Sequence, residues 1–200
     1  MDKTKVVCLG EALIDRIKNK SNKQYTDFFG GAPANVACAL SKLNTKSAFI
    51  GRLGSDEFGK KFIELFNQLN IDIRFLQLDQ NSPTRIVKVD RDNSGDRYFS
   101  GFDASPQTVF ADEAINKSLI KKDLLSLEKL FSQTKYFVAG TNILSSSMSA
   151  DSCYFLLDIA KKFDVKVVID LNWREVFWNY STFALQISKQ ERLNLIQKFL

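Results

Sequence analysis

The stretch Gly30-Gly31-Ala32-Pro33-Ala34-Asn35 decides how the rest of this 200-residue chain is interpreted. Two adjacent glycines let a backbone approach a ligand closely or adopt positive φ, and Pro33 suits the first turn of a helix. Apolar residues follow at the spacing of one helix face: Val36, Leu40 and Leu43. The stretch predicts a glycine turn that opens into a helix, where free N–H groups and the Asn35 amide suit hydroxyls or phosphate. A tight strand-to-helix turn without a ligand is the alternative.

The composition is that of an ordinary globular protein, with 44% apolar and 26% charged residues. No apolar run reaches the length of about 18 residues that a membrane span needs. The net charge of +5 is spread thinly, and no basic cluster is interleaved with aromatic residues, so nucleic-acid binding is not expected. The chain enters its first apolar run too early for a signal peptide, and a cytoplasmic location is expected.

The cysteine and histidine content limits the kinds of catalysis, metal binding and disulfide formation that are expected of this chain. The odd number of cysteines, at positions Cys8, Cys38 and Cys153, predicts reduced thiols rather than a disulfide framework. The chain has no histidine, which excludes Ser-His-Asp and Cys-His catalysis. Scattered cysteines without histidine also argue against a zinc site, so no metal ligand is assigned.

Apolar periodicity alternates between the two secondary-structure periods along the chain. Strands are predicted at residues 5–9, 46–50, 71–78, 136–139 and 165–170, the last of them fully buried. Helices are predicted at residues 35–43, 58–70, 112–119, 123–131, 149–163 and 188–200, the last with an apolar face that suggests a core cut short. The alternation predicts a three-layer α/β fold with a mainly parallel sheet.

Two further β segments, 84–90 and 96–102, flank a turn-forming run at 91–95 and predict a hairpin. A hairpin does not fit the alternating pattern of a plain α/β sheet. It therefore suggests a small β flap beside the main domain that serves as a lid. An edge hairpin without a function is the alternative.

Polar residues collect where predicted strands end, which is where open α/β sheets bind ligands. Asp15 is placed to accept hydrogen bonds from substrate hydroxyls, whereas Glu11 could equally be a solvated loop acid. Asp170, Asn172 and Arg174 alternate with apolar residues and would point the same way if the strand continues. Arg174 could then bind phosphate or sugar oxygens, or form a salt bridge at the strand end.

The segment Gly54–Lys61 almost matches the P-loop pattern. Lys61, however, stands where Ser or Thr must hold magnesium, and Asp56 and Glu57 would place negative charge against phosphates. A P-loop is therefore rejected. A dinucleotide-binding fold is also weakly supported, because no Gly-x-Gly-x-x-Gly follows the first strand.

Taken together, these residues resemble the PfkB, or ribokinase-like, carbohydrate kinases, and the fructokinase branch most closely. The segment Gly10–Asp15 looks like the opening strand of that branch, which implies that Asp15 grips sugar hydroxyls. The segment Gly30–Ala37 is similar to the first signature of the family, which implies that Gly30, Gly31 and Asn35 line the sugar site.

The resemblance extends further along the chain. The segment Gly51–Gly59 matches the strand-to-helix segment that follows the first signature, and Asp170–Arg174 resembles the fructokinase Asp-x-Asn-x-Arg segment. Asp170 and Asn172 would then lie near the transferred phosphate. The lid that closes over bound sugar would contain these side chains: Arg85, Arg97, Phe99 and Phe102.

For the whole chain, the resemblance implies a ribokinase-like fold made of residues 1–200, with lid segments at about 11–30 and 72–102. It also implies ATP and Mg²⁺ as cofactors, a sugar substrate such as fructose, and a homodimer through the lid. Its expected activity is ATP-dependent phosphorylation of a sugar hydroxyl, with this chain supplying the sugar-binding half.

The chain departs from the family pattern in one respect. The catalytic aspartate of the family lies in a later Gly-Ala-Gly-Asp segment, whereas the last glycine here is Gly140. The Asn-x-x-Glu segment tied to magnesium is also absent, so no catalytic residue is assigned and the carboxyl-terminal part of the fold is expected to be missing. The chain is interpreted as the amino-terminal part of a longer kinase, or as a truncated, non-catalytic protein that binds sugar or a partner.

Overall fold

A computed structural model describes residues 4–19, 24–92, 94, 96–105, 107–180 and 186–199. Its strands are β1 (Val6–Leu9), β2 (Leu13–Lys18), β3 (Tyr25–Gly30), β4 (Ser47–Gly54), β5 (Leu76–Asp79), β6 (Ile86–Arg91), β7 (Arg97–Phe102), β8 (Tyr136–Gly140) and β9 (Lys166–Asp170). Within the described residues they form a parallel sheet in the order β5-β4-β1-β8-β9 and a smaller sheet in the order β3-β2-β6-β7.

The helices are α1 (Ala32–Lys42), α2 (Glu57–Gln68), α3 (Lys117–Lys121), α4 (Leu124–Phe131), α5 (Ser147–Lys162), α6 (Glu175–Tyr180) and α7 (Lys189–Phe199). Two 3-10 helices span Ala111–Ala114 and Thr141–Ser145. No helix among the described residues has both the length and the apolar character needed to cross a bilayer. The single helix predicted at 112–119 is wrong, because the Asn116 side chain caps a new helix by accepting from the N–H groups of Ser118 and Leu119.

Strand β1 explains why the fold has three layers. It pairs in parallel with β4 on one side and with β8 on the other, and its four residues are buried. Val7 and Leu9 pack into a core with α4 and α5, whereas Val6 and Cys8 pack into a core with α1 and α2. Because side chains alternate along a strand, the two cores lie on opposite faces of the sheet. The predicted three-layer α/β fold is confirmed.

Strand β9 is not the fully buried strand that its apolar run predicts. It is the last strand of the parallel sheet and pairs only with β8 among the described strands. Val167 and Val168 are 42% and 44% exposed. An apolar run shows that a strand packs against something, but it does not show how many strands flank it.

Helix α1 presents a different face to the core from the one predicted. Val36 and Leu43 are exposed, whereas Pro33, Ala34 and Ala37 are buried. These small residues allow α1 to lie close to the sheet, and the Ser47 hydroxyl of β4 donates to the Ala37 carbonyl oxygen at 3.0 Å. Close helix packing on small residues therefore overrides the pattern of larger apolar residues.

The smaller sheet, called the lid sheet below, contains strands from two parts of the chain. Strands β2 and β3 are antiparallel, β6 joins β2 in parallel, and β7 joins β6 antiparallel. The hairpin predicted at 84–102 is therefore confirmed, although Asn93 and Gly95 of its turn lie outside the described residues. Strand β5 falls inside the lid segment predicted at 72–102 but belongs to the parallel sheet, paired with β4.

The terminal helix α7 follows its predicted apolar face only in part. Phe199 is buried in the core and Ile196 packs against it. Leu193 is exposed, and Leu200 lies outside the described residues. The core therefore covers the last part of this face and leaves its beginning in solvent.

Candidate functional site

The chain crosses between the two sheets at the carboxyl end of the parallel strands. Residues 10–12 lead from β1 into β2, and Gly31 alone separates β3 from α1. Thr84 and Arg85 lead into β6, and residues 103–110 lead out of β7 into the first 3-10 helix. The base of the lid sheet therefore lies where α/β sheets bind ligands.

The predicted glycine corner, Gly30 and Gly31, is tightly packed at this base. Gly31 has φ 97° and ψ 120°, and a Cβ atom there would overlap the carbonyl oxygen of Glu11. A Cβ atom at Gly30 would lie 2.5 Å from Asp15 Oδ2. Gly31 therefore requires glycine, and the Asp15 carboxylate lies directly against the corner in the space that a side chain at Gly30 would need.

Asn35 lies one helical turn beyond the corner. Its backbone N–H donates to the Gly31 carbonyl oxygen at 2.9 Å, and its side chain is exposed. Helix α1 has no acidic residue of its own in its first turn. The structure thus brings Asp15, Gly30 and Gly31 together and puts Asn35 on the adjoining turn. Their role in sugar binding stays a prediction.

Arg85 is a buried anchor at the base of the lid rather than an exposed lid residue. It is 3% exposed, and its Nε and Nη2 atoms donate to Asp112 Oδ2 at 2.9 Å and to Glu113 Oε1 at 2.8 Å. Three aromatic rings surround the guanidinium with centroids 4.3–4.8 Å from its carbon: Phe102, Phe110 and Phe177. Burial alone would lower the pKa of Arg85, but the two carboxylates outweigh it and raise that pKa.

Thr84 joins the same base to helix α2. Its hydroxyl donates to Asp56 Oδ1 at 2.9 Å, and its backbone N–H donates to Asp56 Oδ2 at 2.7 Å. Asp56 also caps α2 by accepting from the Gly59 N–H at 2.9 Å. The segment that mimics a P-loop is therefore a structural joint between α2 and the lid sheet.

The aromatic lid residues differ in exposure. Phe102 is half-buried, with its ring centroid 5.2 Å from that of Phe110, whereas Phe99 is exposed. The Arg174 guanidinium carbon lies 5.5 Å from the Phe99 ring centroid. Arg97 begins β7 and pairs with Arg91 through the backbone, and its side chain lies outside the described part of the structure. The structure therefore brings the lid strand β7 to the segment that follows β9.

That segment does not continue the strand, so the condition under which Asp170, Asn172 and Arg174 would point the same way is not met. Strand β9 ends at Asp170, whose Oδ1 accepts from the Asn172 N–H at 3.0 Å. This local hydrogen bond turns the chain before α6 begins at Glu175. Asp170 and Asn172 are half-buried, and Arg174 is exposed.

Glu11 is a site residue that the sequence left undecided. It is 6% exposed, so its interpretation as a solvated loop acid is wrong. Burial raises the pKa of Glu11 to about 7; hydrogen bonds from its own backbone N–H, the Asn142 side chain and the Ala32 N–H oppose the rise, and the nearby Asp112 adds to it. The sequence signal that Glu11 belongs to the site was its position directly after β1, at the carboxyl end of a predicted strand.

A narrow cavity at the lid base joins Glu11 to the arginine anchor. Its polar lining includes Glu11, Arg85, Asp112, Glu113, Asn142 and Ser145. The Asn142 Nδ2 atom donates to Glu11 Oε1 at 3.4 Å, and its Oδ1 is buried without a hydrogen-bond partner among the described residues. Sequence reasoning missed Asn142, although it follows β8 as Glu11 follows β1.

The lid sheet thus adjoins the carboxyl edge of the parallel sheet, where α/β proteins bind ligands, and places the Asp15 carboxylate against the glycine corner there. The family model described as pfkB family carbohydrate kinase matches residues 3–192, and the chain belongs to this family. The resemblance seen in the sequence is confirmed.

Individual relatives agree with this assignment. The chain is 32% identical over 187 residues to probable fructokinase-5 of Arabidopsis thaliana, covering 90% of this chain and 55% of the relative. It is similar to the crystal structure of fructokinase from Xylella fastidiosa, with TM-score 0.77 and 28% identity, over 96% of this chain and 56% of that one. The Halothermothrix orenii fructokinase structure gives TM-score 0.68 and 30% identity, covering 87% and 59%. The ribokinase-like fold is confirmed, and the chain spans little more than half the length of these relatives.

Proposed function

We propose that this chain supplies the sugar-binding half of an ATP-dependent kinase that phosphorylates a sugar hydroxyl, with fructose as the first candidate. The observation that carries the proposal is the Asp15 carboxylate lying against the Gly30–Gly31 corner at the start of α1. Membership of a carbohydrate kinase family supports it.

This corner offers what a polyol requires. The carboxylate of Asp15 accepts hydrogen bonds from hydroxyl groups, and the N-terminus of α1 offers donors. The exposed amide of Asn35 can do both. The absence of a side chain at Gly30 leaves room for the Asp15 carboxylate to lie beside the start of α1.

The lid sheet and the segment after β9 would complete the enclosure. Phe99 presents an aromatic face, and Arg174 beside it carries a positive charge suited to a transferred phosphate. Asp170 and Asn172 are proposed to lie near that phosphate. Closure of the lid would exclude water from the sugar.

The phosphoryl donor of the complete enzyme is proposed to be ATP with Mg²⁺, whose charge neutralisation is the usual basis of phosphoryl transfer. The residues of this chain do not fit a nucleotide phosphate site, because no glycine follows Gly140 to form an anion hole. The described residues also contain no group of three carboxylate, cysteine or histidine side chains placed to hold a metal ion. We expect the 200-residue chain alone to transfer little or no phosphate.

The test measures fructose binding and turnover on the purified chain. Fructose should raise the melting temperature of the wild-type chain, and Asp15→Ala should remove this effect. Asp158→Ala deletes an exposed carboxylate on α5 and should respond to fructose as the wild type does. Steady ADP release that needs both ATP and fructose, and that Asp15→Ala abolishes, would contradict the expected inactivity.

A second candidate function is a non-catalytic sugar-binding or interaction protein. Stabilisation of the purified chain by sugar without turnover would support it.

The proposed assembly is a homodimer through the lid sheets, in the cytoplasm. Exposed aromatic side chains on the lid support this assembly: Tyr25, Phe28 and Tyr98. The three cysteines are free, which suits a reducing compartment. Sedimentation of wild-type chain and of a Phe28→Ser variant tests the dimer, and equal monomeric behaviour of both would contradict it.

A further inference from the structure

Glu11 is a buried carboxylate to which the proposed function gives no role. It follows β1 at the base of the lid and lies in the cavity shared with the Arg85 anchor. Asp15, by contrast, lies in β2 and is only half-buried. Glu11 and Asp15 therefore lie in different environments and can have different roles.

The contacts of Glu11 converge on the glycine corner. Its carboxylate lies near enough to the backbone N–H of Ala32, the first residue of α1, for that group to lower its pKa. Its carbonyl oxygen fills the place that a side chain at Gly31 would take. Glu11 thus holds the corner from both sides, through its main chain and its side chain.

A third contact ties this corner to the neighbouring strand. The Asn142 Nδ2 atom, beyond the end of β8, donates to Glu11 Oε1 at 3.4 Å. The ends of β1 and β8 and the start of α1 therefore meet at one carboxylate. A small displacement of that carboxylate would move the first turn of α1, on which Asn35 lies.

The surroundings of Glu11 make its ionised carboxylate unfavourable for the stability of the fold. Glu11 is almost fully buried, Asp112 and Glu113 line the same cavity, and Arg85 is already paired with both of them. A glutamine would keep one accepting oxygen without the charge. A costly ionisable group beside a ligand cleft is typical of a functional residue.

We propose that Glu11 is a positioning residue of the sugar site, whose ionised carboxylate holds Gly31, Ala32 and the first turn of α1 in the orientation that receives sugar hydroxyls. This inference rests on the proposed function. Glu11 itself does not contact the sugar; it acts through the corner. The negative charge matters because it lies at the N-terminus of α1, where the helix dipole favours it.

The first experiment measures fructose affinity between pH 5.5 and 8.5 for the wild-type chain, Glu11→Gln and Glu64→Gln. Glu64 is exposed on α2, so its variant makes the same charge change away from the cavity. Wild-type affinity should fall about fivefold as the pH drops below 7, which corresponds to about 1 kcal/mol of binding free energy. Glu11→Gln should bind about fivefold more weakly at pH 8 and show no such pH dependence, whereas Glu64→Gln should follow the wild type.

The second experiment separates positioning from a structural role. Glu11→Gln should raise the melting temperature at pH 8 because it removes a buried charge, while it weakens sugar binding. In hydrogen exchange, peptides covering residues 30–36 should exchange several-fold faster in this variant, and peptides of α5 should not change. Equal affinity and unchanged exchange in Glu11→Gln would overturn the proposal.

The two proposals fail in different ways. If the wild-type chain binds no fructose at any pH, the proposed function fails, and the exchange of residues 30–36 then decides alone whether Glu11 positions the corner. If the wild type binds fructose and Glu11→Gln binds equally well across the pH range, only the role of Glu11 fails.

Discussion

The Arg85 guanidinium and the Asp112 carboxylate join the two ends of the β6–β7 hairpin at its base, with Nε and Oδ2 2.9 Å apart. Arg85 immediately precedes β6, and Asp112 lies in the 3-10 helix that the chain enters after β7. Both side chains are buried, and Glu113 accepts a second hydrogen bond from the same guanidinium. The lid hairpin is therefore fixed at its root, while its outer strand β7 is exposed from Tyr98 to Ser100.

Replacing Arg85 by methionine should lower the free energy of unfolding by about 3–5 kcal/mol, because Asp112 and Glu113 would be left buried without a counter-charge. Urea denaturation measures the loss. Arg74→Met, which removes an exposed partner of Asp72, should cost less than about 1 kcal/mol. An equally small loss for Arg85→Met would show that the anchor is dispensable.

Glu11 should make the fold less stable as the pH rises. Its pKa in the folded chain is about 7, above the ordinary value of 4.5, so the folded state binds more protons between these values. The stabilisation is complete below pH 4.5 and is lost as the pH rises towards 7, by about 3 kcal/mol in total.

Chemical denaturation of wild-type chain and Glu11→Gln at pH 5 and pH 8 tests this sign. The advantage of the glutamine variant should be larger at pH 8. Burial also raises the pKa of Glu113, so the difference between the two proteins, rather than either curve alone, is the relevant measurement. A constant difference at both pH values would contradict the prediction.

Gly31→Ala should destabilise the fold by about 1–3 kcal/mol, because φ of 97° strains any side chain and the new Cβ would meet the Glu11 carbonyl oxygen. Gly140→Ala is the matched control. Its Cβ would make an ordinary contact 3.8 Å from the Asp170 carbonyl oxygen, at φ −105°, so its stability should stay within about 0.5 kcal/mol of the wild type. Thermal unfolding of both variants measures the loss of stability. Similar losses for both would show that position 31 has no particular requirement for glycine.

Thr84→Val should cost about 1–3 kcal/mol, since it removes the hydroxyl that donates to Asp56 and accepts from the Gly54 N–H at 3.0 Å. The exposed counterpart is Thr108→Val, whose hydroxyl bonds only the local Ser105 carbonyl oxygen among the described residues. Denaturation midpoints give the comparison. If the Thr108 variant loses as much stability, the joint between α2 and the lid is not the cause.

Local periodicity predicted the elements that carry strong signals. Strand β1 and helix α2 were found because their apolar residues repeat at the period of a buried strand and of a helix face. Strand β3 was missed because its residues are exposed from Tyr25 to Phe29, so no alternation marks it. Its pairing with β2, residue by residue, is a tertiary fact that the local sequence does not encode.

The candidate site was predictable where backbone geometry demands particular residues. Glycine at position 31 is required by its positive φ and by the close Glu11 carbonyl oxygen, and a backbone requirement of this kind is visible in the sequence. The burial of an acidic residue, in contrast, cannot be seen in the sequence. Glu11 and Asp15 look alike there, yet Glu11 is buried, with 6% of its surface exposed. Arg85 was assigned to the lid, but its three surrounding rings come from segments far apart in the chain.

The half-exposed valines of β9 have a practical consequence for anyone who handles the purified chain. A β-branched strand with one neighbour is a template on which a foreign strand can add, in the manner of β-augmentation or early aggregation. Lys166 at its first position is the kind of gatekeeper that slows such growth. Adding a second lysine at Val168 should therefore keep the chain monodisperse at concentrations where the wild type forms higher-order species.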